Sequence, residues 1–133
     1  MGSTAITLCI ICSLSAVASA EFNSTPEYLS CHGQIQPLSE YQSGVETVVR
    51  DLIASTPRSG FNYYNKYEKE DTEVYGHGIC NGLLSIQECG DCLRTVNAYR
   101  LHYCTFVVTA QAVLVDCEMT FHNERFHHGG PRH

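Results

Sequence analysis

The sequence predicts an α+β domain, an antiparallel β-sheet covered by two α-helices and held by disulfides. Three observations carry this. The first is a pair of segments that repeat apolar residues at helical spacing, and the second is a set of short segments rich in β-branched and aromatic residues, in the order helix, strands, helix, strands. The third is Cys80-x8-Cys89-x2-Cys92, followed by Cys104 and Cys117, in a chain that opens with an apolar leader.

The leader comes first. Residues 5–18 form an apolar run rich in Ile, Leu and Ala, and Ala18-Ser19-Ala20 has the small-x-small form of a signal-peptidase site. Residues 1–20 are therefore expected to be a signal peptide, which removes Cys9 and Cys12. The run is shorter than the roughly twenty apolar residues that a membrane span needs. Residues 21–126 are expected to form one soluble, cysteine-rich domain, and residues 127–133 a His-rich tail. Asn23-Ser24-Thr25 is a sequon near the new amino terminus, so Asn23 is a candidate glycosylation site, although Pro26 follows directly.

Tyr41, Val45, Val48, Val49, Leu52 and Ile53 form one apolar stripe and predict a helix between Ser39 and Ser55. Ser39 with Gln42 has capping-box spacing, and Thr56-Pro57 ends the element. Residues 61–67 are aromatic-rich and read as a strand; Tyr63, Tyr64 and Tyr67 suit a binding surface where exposed, but alternating tyrosines in a strand more often pack half-buried. Residues 74–80 form a short, glycine-broken strand. Asn81-Gly82 supplies a turn. A second helix then begins at Ser85, with Glu88 completing a capping box, and runs through Cys89, Cys92, Leu93, Val96 and Tyr99 on one side. Residues 105–108, 111–115 and 117–122 read as further strands. In the last, Cys117, Met119 and Phe121 share one face, and Glu118, Thr120 and His122 the other.

Six cysteines remain after the leader: Cys31, Cys80, Cys89, Cys92, Cys104 and Cys117. An even count in a secreted domain of this size reads as a disulfide framework, but spacing alone does not choose among the many connectivities. The formal net charge is −6 with no basic cluster, which argues against nucleic acid or an anionic membrane as partner.

The cysteine spacing, Tyr75-Gly76 before Cys80, Val115-Asp116-Cys117 and Cys31 near the mature amino terminus together resemble the ginkbilobin-like domain of plants. That domain is named for an antifungal seed protein and occurs in the ectodomains of cysteine-rich receptor-like kinases. The resemblance covers Cys31 to about Phe126. It implies two α-helices packed on a five-stranded antiparallel β-sheet, with the disulfides Cys31–Cys104, Cys80–Cys89 and Cys92–Cys117. Loop closure makes each bridge worth ~3 to 4.5 kcal/mol, largest for the longest loop. A redox dithiol at Cys89-Gly90-Asp91-Cys92 or a zinc site needs leftover thiols, whereas the other cysteines stand ready as partners.

Lectin members of the family bind mannose through an Asn, an Arg and a Glu. The matching positions here hold His32, Gln111 and His122. These side chains still hydrogen-bond hydroxyls, but the charged donor and acceptor, whose hydrogen bonds are about twice as strong as neutral ones, are gone. The expected function is that of a secreted, defence-type protein of the apoplast, antifungal in kind. It is expected to bind a cell-wall or fungal glycan, or alternatively to dock to an extracellular protein such as a receptor ectodomain.

No catalytic residue, metal or cofactor is expected. No nucleophile elbow or phosphate loop is present, and Asp116 and Glu118 are expected to point to opposite faces rather than form a catalytic pair. The tail histidines are capable of taking up zinc or copper, but the plainer reading is a frayed terminus.

Overall fold

The computed structural model describes residues 22–124. The leader at residues 1–20, both domain boundaries at residues 21 and 126, and the His-rich tail lie outside the described residues.

The chain forms β1 (Pro26–His32), α1 (Glu40–Ser55), a 3₁₀ turn (Thr56–Arg58), β2 (Asn62–Lys69), β3 (Thr72–Cys80), α2 (Ile86–Tyr103), β4 (Thr109–Leu114) and β5 (Cys117–His122). All five strands join one antiparallel sheet in the order β1-β4-β5-β3-β2. This is the two-helix, five-stranded architecture that the resemblance implies.

Both helices start where a side chain satisfies exposed backbone N–H groups. Ser39 Oγ accepts from the Gln42 N–H at 3.2 Å, but Gln42 turns its amide to Glu46 rather than back to Ser39, so only half of that capping box forms. At α2 the box is complete: Ser85 Oγ accepts from the Glu88 N–H, and Glu88 Oε1 accepts from the Ser85 N–H at 2.7 Å. The helix runs one turn past the expected Tyr99, because Arg100 donates to the Cys104 carbonyl and closes its end.

Two strand expectations need correction. Residues 105–108 are a bent connection, not a strand. Cys104 is tied to Cys31, and the segment's backbone bonds run to two separate places, Val108 N–H to His32 O and Ile35 N–H to Phe106 O. The fifth strand is β1, which the sequence reading left unassigned. It pairs with β4 from Pro26↔Leu114 to His32↔Thr109, with an irregularity between Pro26 and Tyr28. The strand expected at residues 111–115 begins two residues earlier and stops at Leu114, because Val115 and Asp116 make the turn into β5.

Both helices lie on the same side of the sheet, α1 over β2 and β3 and α2 over β4 and β5. The rows that face them include Cys31–Ala110–Phe121–Gly76–Asn65 and Leu29–Ala112–Met119–Gly78–Tyr63. Phe121, 1% exposed, fills the centre with Leu52, Leu93, Val48, Val96 and Leu114. Gly76 lets α1 approach, since a Cβ there would stand 2.4 Å from Val48 Cγ1. Cys31–Cys104, Cys80–Cys89 and Cys92–Cys117 are all bonded, with Cα–Cα separations of 6.4, 5.6 and 6.1 Å. They fasten β1 to the end of α2, β3 to the start of α2, and α2 to β5.

Candidate functional site

The side of the sheet away from the helices carries no covering layer among the described residues. Period-two alternation places every second residue there, and the register sorts them into rows. One row is Ser30–Gln111–Thr120–His77–Tyr64, and its neighbour is Tyr28–Val113–Glu118–Ile79–Asn62. On the same face, flanking the first row opposite to the second, His32 faces Thr109, and His122 faces Tyr75, which faces Lys66.

His32, Gln111 and His122 therefore share this face. Gln111 is on β4, His32 on its neighbour β1 and His122 on its other neighbour β5. With strands about 4.8 Å apart, the two histidines stand roughly 10 Å apart across Thr109. His32 Nε2 bonds Ser30 Oγ at 2.9 Å. His122 Nδ1 accepts from the Glu124 N–H at 3.1 Å, and its ring centroid lies 6.4 Å from that of Tyr75. Gln111 donates to Glu118 Oε2 at 2.9 Å. A carboxylate thus stands beside Gln111 after all, supplied by Glu118 rather than by position 122.

Sequence reasoning missed the most built part of this face. Tyr64 stacks on His77 with centroids 3.8 Å apart and planes within 4°. Tyr64 is 53% exposed, while Tyr63 and Tyr67 of the same strand are half-buried on the helix side. His77 Nε2 bonds Asn62 Oδ1 at 2.7 Å. Partial burial pushes the His77 imidazole below its ordinary value, against a weaker upward pull from Glu118. The ring is accordingly neutral at pH 7 and offers one donor and one acceptor. No sequence motif marks this group, because Tyr64 and His77 meet only through the β2–β3 register.

Other polar clusters are structural. Asp51 collects donors from Ser55, Tyr63 and Asn65; burial opposes its ionisation, but these three bonds outweigh it and hold the carboxyl below its usual range. Burial raises the Tyr41 phenol to about 12, and its hydroxyl donates to Val108 O at 2.7 Å. Arg100, 4% exposed, is lowered by burial to about 10, with its guanidinium 5.2 Å from the Phe121 ring.

Asp116 and Glu118 do not diverge as expected. Two positions apart, they fall on the same side, and both line a shallow concavity of about 310 Å³ with Glu27. Asp116 accepts from the Asn23 N–H and Asn81 Nδ2, and Glu118 from Gln111. Another concavity, about 590 Å³, lies between residues 34–36 and 103–107 and touches none of His32, Gln111 and His122. Among the described residues, no group of three His, Cys, Asp or Glu side chains is placed to hold a metal.

The salt stress response/antifungal family description matches residues 30–124. The chain belongs to that family. The match begins inside β1 and takes in the cysteine framework, β2 to β5 and the family positions His32, Gln111 and His122. "Cysteine-rich repeat secretory protein 1" of Arabidopsis thaliana is 31% identical over 75 residues, which is 53% of this chain and 22% of that protein. Two solved tandem DUF26 ectodomains from Arabidopsis thaliana share the fold, those of the cysteine-rich receptor-like proteins PDLP5 and PDLP8. The first has a TM-score of 0.69 at 20% identity, covering 79% of this chain and 52% of the other. The second has 0.70 at 18%, covering 79% and 51%. The chain thus spans about a fifth of the curated relative and about half of each solved ectodomain. No helix among the described residues is long and apolar enough to cross a membrane.

Proposed function

We propose that this member of the salt stress response/antifungal family is a secreted, defence-type domain of the plant apoplast. It acts by binding through the exposed face of its sheet rather than by catalysis. The leader, the three disulfides among the described residues and the secretory relative support the extracellular location. The observation that carries the binding reading is the gathering of Gln111–Glu118, His32, His122 and the Tyr64–His77 stack on one uncovered face. Exposed Tyr64 offers an apolar plate for the C–H side of a sugar ring. Glu118 accepts from hydroxyls, and Gln111 and the imidazoles both donate and accept. Glycans of the fungal wall or the plant cell wall are the ligands this chemistry suits.

Mannose specifically is disfavoured. Without an Arg opposite a carboxylate, the three family positions supply weaker, largely neutral bonds. A second reading, docking to an extracellular protein such as a receptor ectodomain, is favoured by the shallowness of the face. None of the concavities described above is lined by the three family positions, and Tyr28 and Tyr64 stand exposed at its two edges, in the manner of protein interfaces.

A glycan array run with a hyphal growth assay separates the readings. Glycan binding with growth inhibition supports the first, and absence of both leaves the protein-docking reading. Asn23 is proposed as a glycan acceptor. It is exposed, and its Oδ1 accepts from the Thr25 N–H at 3.0 Å. A mass loss on N-glycosidase treatment of the secreted protein checks it.

A further inference from the structure

On the opposite side of the molecule, the C-terminal end of α1 and the start of α2 enclose a groove of about 290 Å³. Its walls mix polar and apolar side chains: Ile53 and the buried Pro57 on one side and Ile86, 50% exposed, on the other, among Arg58, Gln87 and Arg94. Gly90 forms bare backbone between them. A Cβ there would lie 3.7 Å from Pro57 Cγ, so any side chain would narrow the groove. Leu83, 91% exposed, stands three residues before Ile86 in the chain.

The charge around this groove is opposite to that of the chain. The whole sequence is at −6, and the described residues hold six Lys and Arg: Arg50, Arg58, Lys66, Lys69, Arg94 and Arg100. Lys66 and Lys69 pair with Glu68 and Glu40, and Arg100 is buried. Of the remaining three, two belong to the groove. Arg58 and Arg94 line it, and Arg50 precedes Ile53 and Ala54 on α1 by three and four positions, which are neighbours on a helix face. Arg94 is bonded to Asp91. Glu88 is held in the capping box and Glu46 accepts from Gln42. Among the described residues, neither Arg50 nor Arg58 has a carboxylate within ion-pair distance. The first turn of α2, with its positive dipole end, closes one end of the groove.

We propose that this groove docks an extended segment of a partner protein that presents both carboxylate and aliphatic side chains on each of its sides. Aliphatic groups match the Ile53, Pro57 and Ile86 walls, and carboxylates match the fork geometry of Arg58 and Arg94. An anionic polysaccharide satisfies the charges but leaves the apolar side chains uncovered. The site is independent of the sheet face, so neither reading depends on the other.

The test uses the secreted, disulfide-bonded chain labelled with nitrogen-15 and a synthetic peptide of repeated Glu-Glu-Leu-Leu, which places both groups on each side of an extended chain. The peptide is expected to shift the amide signals of Ile86, Gln87, Gly90 and Arg94 saturably. Affinity is expected to drop about tenfold or more in the Arg58→Glu, Arg94→Glu double variant and to fall with added salt. Arg58→Glu alone, which breaks no ion pair, gives the same direction if Arg94→Glu disturbs α2. A matched Lys–Leu peptide and polygalacturonate are expected to leave these signals in place. Any of four results overturns the proposal: no saturable binding, shifts confined to the sheet face, affinity indifferent to charge reversal, or polygalacturonate binding as tightly as the peptide. Concentration-dependent shifts without peptide would instead assign the groove to a second copy of this chain.

Discussion

Gly76→Ala tests how the helical layer is seated on the sheet. A Cβ at Gly76 would stand 2.3 Å from Asn65 Oδ1, 2.4 Å from Val48 Cγ1 and 3.2 Å from Leu52 Cδ1. The first two are more than 1 Å inside ordinary contact, and neither Val48 nor Leu52 has room to yield, since both are fully buried in α1. Relief requires α1 to lift or Asn65 to swing away. Asn65 now donates to Val48 O and to Asp51 Oδ2, both at 3.0 Å. Overpacking of this kind costs about 1–3 kcal/mol, and losing a hydrogen bond to a charged acceptor about 1.5–3 kcal/mol. Removing a glycine from a strand returns about 0.5–1 kcal/mol of backbone entropy, which is too small to offset them. The net expectation is a loss of about 3 kcal/mol, or a melting point lower by roughly 10–20 °C. Urea unfolding followed by circular dichroism, with disulfides intact, reads it directly. Gly82→Ala, where nothing lies within 4 Å, is the control and should move stability by less than about 0.5 kcal/mol. If the two variants were equally stable, the close seating of α1 on a bare β3 would be wrong.

Three further outcomes are expected. The native protein should show no alkylatable thiol at Cys31, Cys80, Cys89, Cys92, Cys104 or Cys117 and should lose its fold on reduction; labelling of Cys89 or Cys92 in the native state would contradict the framework. Because burial holds the His77 imidazole below its unfolded value of 6.5, its contribution to stability is fully present above that pH. It is lost as pH falls, when the unfolded chain binds the proton first. Thermal melts at pH 7.5 and 5.0 should show this loss, and His77→Gln should reduce it; an identical pH dependence in both proteins would refute the assignment. Calorimetric titration should find mannose binding absent or weak, and His32→Asn, Gln111→Arg and His122→Glu together should strengthen it, whereas tight binding by the unmodified chain would place the sugar elsewhere.

The helices were legible because their signals are local. The stripe from Tyr41 to Ile53 and the caps at Ser39 and Ser85 need only neighbouring residues. Strands depend on partners. β1 turns only Leu29 and Cys31 toward the core and begins with a proline, so its seven residues carry little alternation, and β4 alone makes them a strand. Residues 105–108 show the converse, since Thr105, Val107 and Val108 have strand propensity but follow a half-cystine that redirects the chain. At the site, parity placed Glu118, Thr120 and His122 on one face from the sequence alone. The bond from Gln111 to Glu118 and the stack of Tyr64 on His77 depend on register across separate strands, which no local pattern encodes.

The most direct test of the sheet face as the binding surface is a glycan array and hyphal binding measured side by side for the native chain and a Tyr64→Ala, Gln111→Ala, Glu118→Ala variant. These three side chains lie on the exposed face, and none belongs to the core. Each glycan retained by the native chain should be lost, or its affinity reduced about tenfold or more, in a variant whose circular dichroism and melting point are unchanged. Undiminished glycan or hyphal binding by that folded variant would contradict the account.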